Sequence, residues 1–263
     1  MSAELHLVDA FCDEPFHGNP AGVCFPDREV SSPWMKGVAA ETGASETAFL
    51  LPRPGGWNLR WFTPEVEIDL CGHATLAAAF TIWRTGREEP GSEISFQTRS
   101  GRLGARQQAE WTLLDFPAEP AGPAGCPPGL SDALGIEPVR VGKNRFDLLV
   151  EVPTAADIKA MKPDLAALAK LPARGVIVTA ASDLPGYDFV SRFFAPAIGI
   201  AEDPVTGSAH CCLGPYWGEK LKKTVMTGFQ CSRRGGTVRV TIAGERVVLG
   251  GKAVAIFSGA LLV

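Results

Sequence analysis

The sequence lacks the features of several large protein classes. Its 25 Lys and Arg are outnumbered by 29 Asp and Glu, which leaves a net charge of −4 and no basic excess for binding nucleic acid. No stretch approaches the roughly 20 apolar residues that span a bilayer. The first residues, Met1 to His6, show no basic region followed by an apolar run. We therefore expect no nucleic-acid partner, no membrane association and a cytoplasmic location.

Common cofactor, nucleophile and metal motifs are also missing. The sequence contains no GxGxxG, no GxxxxGK(S/T), no HExxH and no CxxC, so we expect no bound cofactor and no metal ion. The seven cysteines are odd in number and show no framework spacing, which favours a reduced compartment. A metal cluster is conceivable in principle among the residues Cys71, His73, His210, Cys211 and Cys212. Adjacent cysteines point about 100° apart on a helix, however, which is poor chelating geometry.

An internal repeat is present instead. Arg60-Trp61-Phe62-Thr63-Pro64 recurs as Arg192-Phe193-Phe194-Ala195-Pro196, 132 residues later (192 − 60). Gly72-His73-Ala74 recurs as Gly207-Ser208-Ala209, 135 residues later (207 − 72). Two matched segments in the same order, half a chain apart, indicate a duplicated unit.

Each half combines strand-like segments with one apolar helix. Residues 74–83 are apolar nearly all round, which predicts a helix buried within a sheet layer, and a second helix should begin near Ser208. Regular βαβ alternation is absent, so we expect an α+β fold rather than a doubly wound parallel sheet. We predict an N-terminal half at 1–118, a linker at 119–125 in a Pro- and Gly-rich stretch, and a C-terminal half at 126–252. A last strand of about 253–263 is expected to return to the first half.

The first helix start is a candidate anion site. Cys71 and Gly72 stand where an acidic loop, with Glu65, Glu67 and Asp69, meets the helix. A glycine there lets a ligand approach the free N–H groups, where the helix dipole favours a carboxylate or phosphate. The alternative is structural: Gly72 is a turn residue and His73 a hydrogen-bonded cap.

The second helix start repeats this pattern. Gly207 and Ser208 follow Asp203-Pro204, and twofold duplication would point the two helix starts at one another and hold a small anion between them. In the structural alternative, Asp203-Pro204 is a turn and Ser208 an ordinary N-cap.

Glu46 places one carboxylate just before an apolar strand, a position that is usually solvated. Aligning residues 48–50 with 176–178 sets Glu46 opposite Arg174, so the second half has no matching carboxylate. An unmatched carboxylate at a symmetric cleft is a candidate single acid/base. Cys71 competes for a chemical role, because a thiol at a helix N-terminus should have a lowered pKa. No cysteine directly precedes Gly207, so a matched two-thiol site is not present.

These segments resemble the phenazine-biosynthesis PhzF-like family, within the diaminopimelate-epimerase fold superfamily. The matching segments, in chain order, are residues 8–11 with 18–21, 45–49, 60–64, 69–75 and 202–209. The resemblance implies two pseudo-symmetric β-barrel-like halves, each around a central helix, with the active site between them. It also implies a homodimer and no cofactor.

The resemblance further implies what each site residue does. Glu46 would be the general acid/base that moves a proton on an unsaturated amino acid. The remaining implied residues are the polar partners His73 and Asp203 and the substrate-binding residues Asn19, Cys71, Gly72, Gly207 and Ser208. We therefore expect a cofactor-independent isomerase acting on a small amino- or unsaturated carboxylic acid. The alternatives are a Cys71-dependent racemase, epimerase or dehydratase, and a non-catalytic protein that binds a small ligand.

Overall fold

The computed structural model describes residues 3–262 and divides into two compact units. The first unit comprises the chain up to Asp115 together with the residues from Gly250 onward, and the second comprises Phe116–Leu249. Among the described residues, no helix is both long and apolar enough to cross a membrane.

The first unit is built mainly of strands, with two helices between them. Its elements before the crossing into the second unit are β1 (Ala3–Ala10), β2 (Asn19–Pro26), α1 (Ser32–Thr42), β3 (Glu46–Arg53), β4 (Gly56–Phe62), β5 (Glu67–Ile68), α2 (Gly72–Arg84), β6 (Ile94–Thr98), β7 (Gly101–Gln108) and β8 (Trp111–Pro117).

The second unit follows the same plan, with three short helices, a 3-10 turn and one long helix. Its elements, and the strand after it, are β9 (Gly122–Pro123), α3 (Leu130–Leu134), β10 (Arg140–Lys143), β11 (Asp147–Glu151), α4 (Ala155–Ala160), α5 (Leu165–Leu168), β12 (Gly175–Ala181), β13 (Phe189–Ala195), a 3-10 turn (Pro196–Ile198), β14 (Ile200–Asp203), α6 (Gly207–Leu221), β15 (Val225–Gln230), β16 (Gly236–Ala243), β17 (Arg246–Gly251) and β18 (Ala253–Leu261). The last strand, β18, pairs with β1 and so lies in the first unit.

Strand pairing repeats between the units. In the first unit β2 runs parallel to β3, β3 antiparallel to β4, and β4 parallel to β6. In the second, β11 runs parallel to β12, β12 antiparallel to β13, and β13 parallel to β15. Each unit places one long helix, α2 or α6, between corresponding strands. The predicted α+β class with a duplicated strand pattern is confirmed.

The register corrects the sequence alignment of the repeat by one residue. Phe49 pairs with Arg60, and Val178 pairs with Arg192, the matching arginine of the second unit. Counting back three residues from Phe49 and from Val178 sets Glu46 opposite Gly175, not opposite Arg174 as predicted. A one-residue shift matters because neighbouring strand residues face opposite sides of the sheet.

Close packing explains why the second unit has no carboxylate at that place. A Cβ on Gly175 would lie 2.4 Å from Cζ of Phe193 and 3.0 Å from the carbonyl oxygen of Phe194. Phe193 is itself buried, so it has little room to move away. The position equivalent to Glu46 therefore accepts only glycine.

The two long helices form the centre of each unit's core. Ten of the thirteen residues of α2 are buried, on all sides of the helix, as its apolar pattern predicts. Ten of the fifteen residues of α6 are buried as well, including Trp217. Small residues let strands approach: a Cβ on Gly218 would meet Cδ1 of Ile242 at 2.3 Å. Both helices are enclosed by apolar side chains, which is the main favourable term in folding.

The segment predicted as a linker is structured. Residues 119–125 lie within the second unit, and Gly122 and Pro123 pair with β10 as the short strand β9. The amide of Glu119 donates to the carbonyl of Cys211, which ties this stretch to α6. Proline and glycine mark turns, but they do not exclude edge pairing, so residues 119–125 belong to the second unit and do not form a separate linker.

We predict that Gly175→Ala destabilises the chain by about 1–3 kcal/mol, because the added methyl overpacks the contact with Phe193. Gly37→Ala is the matched control: it lies exposed in α1 with nothing near its would-be Cβ. There the same substitution should stabilise by about 0.5–1 kcal/mol. Urea unfolding of both variants measures the two changes in unfolding free energy. Equal changes in Gly175→Ala and Gly37→Ala would contradict the overpacking at Phe193.

Candidate active site

The turn between α1 and β3 places Glu46. Helix α1 ends at Thr42, and Gly43 follows in the left-handed conformation with φ of 69°. This reverses the chain so that β3 begins at Glu46, opposite Ala21 of β2. The side chain is buried, with the residue 8% exposed, unlike most carboxylates that stand just before a strand.

The start of α2 places His73 and Cys71. Cys71 is the extended residue before the helix, and its side chain makes no capping hydrogen bond. The N-terminal N–H groups of α2 therefore have no cap from that side chain, and they point out of the helix start. His73, in the first turn, is buried and 6% exposed.

Four side chains surround the His73 imidazole. Its Nε2 lies 3.2 Å from Oε2 of Glu46 and 3.4 Å from Oγ of Ser45. Its Nδ1 lies 3.3 Å from the side-chain amide nitrogen of Asn19 and 3.6 Å from Sγ of Cys71. The structure thus brings together Asn19, Glu46, Cys71 and His73, four of the predicted site residues.

One carboxylate oxygen in this cluster is unsatisfied. Oε2 of Glu46 is enclosed, and within residues 3–262 no donor meets it in hydrogen-bonding geometry. The 3.2 Å approach of His73 is an ion-pair contact rather than an aligned hydrogen bond. A buried acceptor without a donor is costly, so this atom is available to an outside group.

Opposite pKa shifts hold Glu46 and His73 as an ion pair. Burial alone would raise the pKa of Glu46, but the contacts with His73 and Ser45 outweigh it and hold the pKa below 4.5. Burial alone would lower the pKa of His73, but Cys71 and Glu46 together raise it well above 6.5. Cys71 makes the larger of these two contributions and Glu46 the smaller, so the carboxylate is one of two neighbours that favour a protonated His73.

Cys71 does not behave as a helix-terminal thiolate. Burial raises its pKa above 9.0, and the neighbouring His73 does not offset that. The predicted lowering of its pKa is wrong, because dehydration of the thiolate outweighs the helix dipole. At neutral pH Cys71 is a thiol that lines the cluster.

A donor set for a metal ion exists here, although not the one the sequence offered. One ligand atom each from Glu46, Cys71 and His73 lies within 4.8 Å of the other two. His210, by contrast, places Nδ1 2.8 Å from the carbonyl oxygen of Thr206 inside α6. Glu46 was not among the metal ligands predicted from the sequence, because it is far from Cys71 and His73 along the chain and forms no ligand-spacing motif with them.

The predicted residues of the second unit form their own cluster at the start of α6. The hydroxyl of Thr206 donates to Oδ2 of Asp203 at 2.5 Å, and the side chain of Gln230 donates to the Asp203 carbonyl at 2.7 Å. Thr206, not Ser208, is the residue before the helix, and its side chain makes no capping bond. The interpretation of Ser208 as an ordinary N-cap is therefore wrong.

An arginine holds Ser208 and was not predicted as a site residue. Nη2 of Arg174 donates to Oγ of Ser208 at 3.0 Å, and Arg174 forms a two-pronged ion pair with buried Asp147. In the corrected register Arg174 matches Ser45, and Ser208 matches His73. The same two positions therefore touch in both units, as Ser45 with His73 and as Arg174 with Ser208. The repeat was the signal that could have identified Arg174.

Fold and site together define an α+β enzyme of the diaminopimelate-epimerase-like fold. The solved structure of a phenazine biosynthesis PhzF family protein from Enterococcus faecalis superposes with a TM-score of 0.95, at 39% identity over 100% of both chains. A probable proline racemase of Agrobacterium radiobacter superposes with a TM-score of 0.65 over 98% of this chain and 92% of its own, at 12% identity. That second likeness shows the fold alone.

The family itself follows from sequence comparison. The model of the phenazine biosynthesis-like protein family matches residues 8–259. An uncharacterized isomerase of Halalkalibacterium halodurans is 47% identical over 263 residues, which span 100% of this chain and 99% of the relative. The chain belongs to the phenazine biosynthesis-like family and is an isomerase of that family, as predicted.

We predict that the His73 imidazole titrates above pH 6.5 and that Glu46→Gln lowers its pKa, because the neutral amide removes the attraction between the carboxylate and the protonated ring. Proton NMR with His73→Gln as the assignment standard measures this. His210, whose pKa burial lowers to about 4, provides the control, because Glu46→Gln should leave its titration unchanged. A His73 signal that is indifferent to Glu46→Gln would contradict the ion pair.

Stability should follow the same linkage. Since folding raises the pKa of His73, its contribution is complete below pH 6.5 and is lost as pH rises through the folded value. Since folding lowers the pKa of Glu46, its contribution is complete above pH 4.5 and is lost as pH falls through the folded value. The unfolding free energies of wild type and His73→Gln should therefore converge at alkaline pH. If the difference in unfolding free energy between wild type and His73→Gln widens at alkaline pH, the pKa of His73 is not raised by folding.

Proposed function

We propose that this chain is a cofactor-independent isomerase that moves a proton within a small amino- or unsaturated carboxylic acid, with Glu46 as the general acid/base. The observation that carries the proposal is the buried, ionised Glu46 carboxylate whose Oε2 has no hydrogen-bond donor within residues 3–262. An ionised carboxylate in an enclosed site is ready to accept a proton from carbon.

The proton transfer balances without an oxidant or reductant. A C–H bond of the substrate breaks, its proton passes to Glu46, and its electron pair spreads into the conjugated carboxylate system. Glu46 then returns the same proton to a different carbon, and the double bond moves. His73, protonated because its pKa is raised, stabilises the negative charge that develops in between.

The crowding of the cluster favours transfer on one face of the substrate. A base and an acid on opposite faces of one carbon, each about 3–3.5 Å from it, would stand about 6–7 Å apart. The ligand atoms of Glu46 and Cys71 lie within 4.8 Å of each other. They are too close to bracket a carbon atom, which argues against inversion by this pair and for a shift by one group.

The substrate carboxylate needs donors, and the two long helices offer them. The start of α2 at Gly72 has no side-chain cap, and neither has the start of α6 at Gly207. Free N–H groups and the helix dipole favour an anion at such ends. We assign Gly72, Gly207 and Ser208 to binding the carboxylate and Asp203 to a polar contact with the substrate.

Glu46→Gln should slow turnover by roughly 100- to 10,000-fold, because the amide keeps the shape of the side chain and loses the base. A panel of small amino- and unsaturated carboxylic acids in D₂O, followed by NMR, measures both isomerisation and deuterium uptake. Cys71→Ser is the matched control from the same cluster and should keep turnover within about tenfold, as expected for a residue that only lines the site.

Other outcomes of the panel identify the alternatives. If Glu46→Gln matches wild type on an accepted substrate, the role of Glu46 is wrong. Turnover lost in Cys71→Ser and kept in Glu46→Gln would indicate thiol chemistry. Ligand binding that is unchanged by Glu46→Gln, with no turnover of any panel member by wild type, would indicate a non-catalytic binding protein.

Ser208→Ala tests the contribution of the second unit. Removal of a hydroxyl that binds the substrate equally in ground and transition states should raise KM severalfold and leave kcat nearly unchanged. Steady-state kinetics on the best panel substrate measures the split. Ser232→Ala is the control, since its hydroxyl donates to the carbonyl of Pro204 outside the helix start. Unchanged KM in Ser208→Ala would remove Ser208 from the site.

We also propose that the chain acts as a homodimer, as its family resemblance implies. Light scattering coupled to size-exclusion chromatography should give twice the chain mass of 27.9 kDa. A monomer mass at the concentration used for the activity assay would contradict the homodimer and would leave the proposed reaction unaffected.

A further inference from the structure

The Glu46–Cys71–His73 cluster combines three different kinds of metal ligand. A thiol sulfur, an imidazole nitrogen and a carboxylate oxygen meet in one buried place, with ligand atoms all within 4.8 Å of one another. Sulfur with nitrogen suits Zn²⁺ and related ions, while Mg²⁺ and Ca²⁺ prefer oxygen alone. The proton transfer proposed above does not need such a set.

The distance between the ligand atoms of His73 and Glu46 matches one edge of a tetrahedral zinc site. Bonds of about 2.0–2.1 Å to nitrogen and oxygen and about 2.3 Å to sulfur place N and O about 3.3 Å apart, and S and N about 3.6 Å apart. In the structure Nε2 of His73 lies 3.2 Å from Oε2 of Glu46 and 3.9 Å from Sγ of Cys71. Sγ of Cys71 also lies 3.6 Å from Nδ1, so the thiol stands beside the ring, and sharing an ion at Nε2 requires it to rotate toward Glu46 by roughly an ångström or more.

Two further contacts prepare the ligands. Oε2 of Glu46 is buried and without a hydrogen-bond donor among the described residues, so an ion would satisfy it. The amide nitrogen of Asn19 lies 3.3 Å from Nδ1 of His73, and turning this amide by 180° places its oxygen there as the acceptor for the N–H that a zinc-bound imidazole carries. A polar group on the second nitrogen is the usual way in which a zinc-binding imidazole is oriented.

We propose that Glu46, Cys71 and His73 form a binding site for one Zn²⁺ ion, with a fourth position open to water or a carboxylate. Binding breaks the S–H bond of Cys71 and one N–H bond of His73, and both protons pass to solvent. Bound zinc occupies the carboxylate oxygen that would accept the substrate proton, so the ion inhibits the enzyme. The inhibition rests on the proposed function, whereas the binding does not.

Binding is measured first without any substrate. Competition between the reduced full-length chain and a chromophoric chelator should show one high-affinity Zn²⁺ per chain, which Mg²⁺ does not displace. Loss of an outer contact costs roughly 10–100-fold in metal affinity, the effect expected of Asn19→Ala. Glu46→Gln and Cys71→Ser remove direct ligands and should each weaken binding by more than about 100-fold.

The matched control is Cys126→Ser, which removes an exposed thiol of the second unit and should leave zinc affinity unchanged. Co²⁺ adds a spectroscopic readout: a thiolate-to-cobalt charge-transfer band should form with wild type and Cys126→Ser and be lost in Cys71→Ser. Circular dichroism and thermal melting establish that each variant is folded. If Cys71→Ser does not fold, the cobalt spectrum of wild type and the zinc affinity of Glu46→Gln still show whether the metal site exists.

The outcomes separate the two proposals. Absence of the cobalt band in wild type, or zinc affinity that depends on Cys126 and not on Cys71, overturns the metal site. Tight zinc binding by a chain that turns over no panel substrate supports the metal site and contradicts the proposed function. When a panel substrate is turned over, zinc should raise the apparent KM for that substrate. Addition of a chelator should return the KM to its value without zinc.

Discussion

The buried contact between Glu46 and His73 is the interaction on which the candidate site depends. An ionised carboxylate taken out of water costs several kcal/mol unless a charge or donor compensates it. His73 lies 3.2 Å away and lowers the pKa of the carboxyl together with Ser45. The pKa of His73 is in turn raised by Cys71 and by Glu46. The tight turn at Gly43 and the start of α2 bring the pair together from residues that are distant in sequence.

Duplication explains the framework around this pair, and local packing explains why the pair occurs once. Both units use the same strand order and place a helix start beside the parallel strands. The place of Glu46 is held in the second unit by Gly175, where Phe193 leaves no room for a side chain. The neighbouring contact persists with different chemistry, as Ser45 with His73 and Arg174 with Ser208. The duplicated scaffold thus holds a buried carboxylate in one unit and an arginine beside the matching helix start in the other.

Patterns that depend on local sequence were predictable. The apolar run of α2, the glycine-led helix starts and the paired motifs at Arg60 and Arg192 gave the α+β class, the repeat and the candidate residues. The burial of Glu46 and the pKa of Cys71 were not predictable, because both depend on what the rest of the fold places around them. The alignment of the two halves that set Glu46 opposite Arg174 was wrong by one residue for a similar reason. Apolar residues align at several offsets, and only the hydrogen bonds between strands fix the register. Proline content misled at 119–125 because an edge strand accepts proline.

The proposed function requires that Glu46 is ionised at neutral pH. Infrared difference spectroscopy measures that charge directly. The spectrum of wild type minus Glu46→Gln at neutral pH, with ¹³C-labelled glutamate to identify the bands, isolates the Glu46 side chain. We predict the antisymmetric stretch of an ionised carboxylate, replaced by its protonated form only below pH 4.5. A carbonyl stretch of protonated Glu46 at neutral pH would contradict the ion pair and the role of Glu46 as a base.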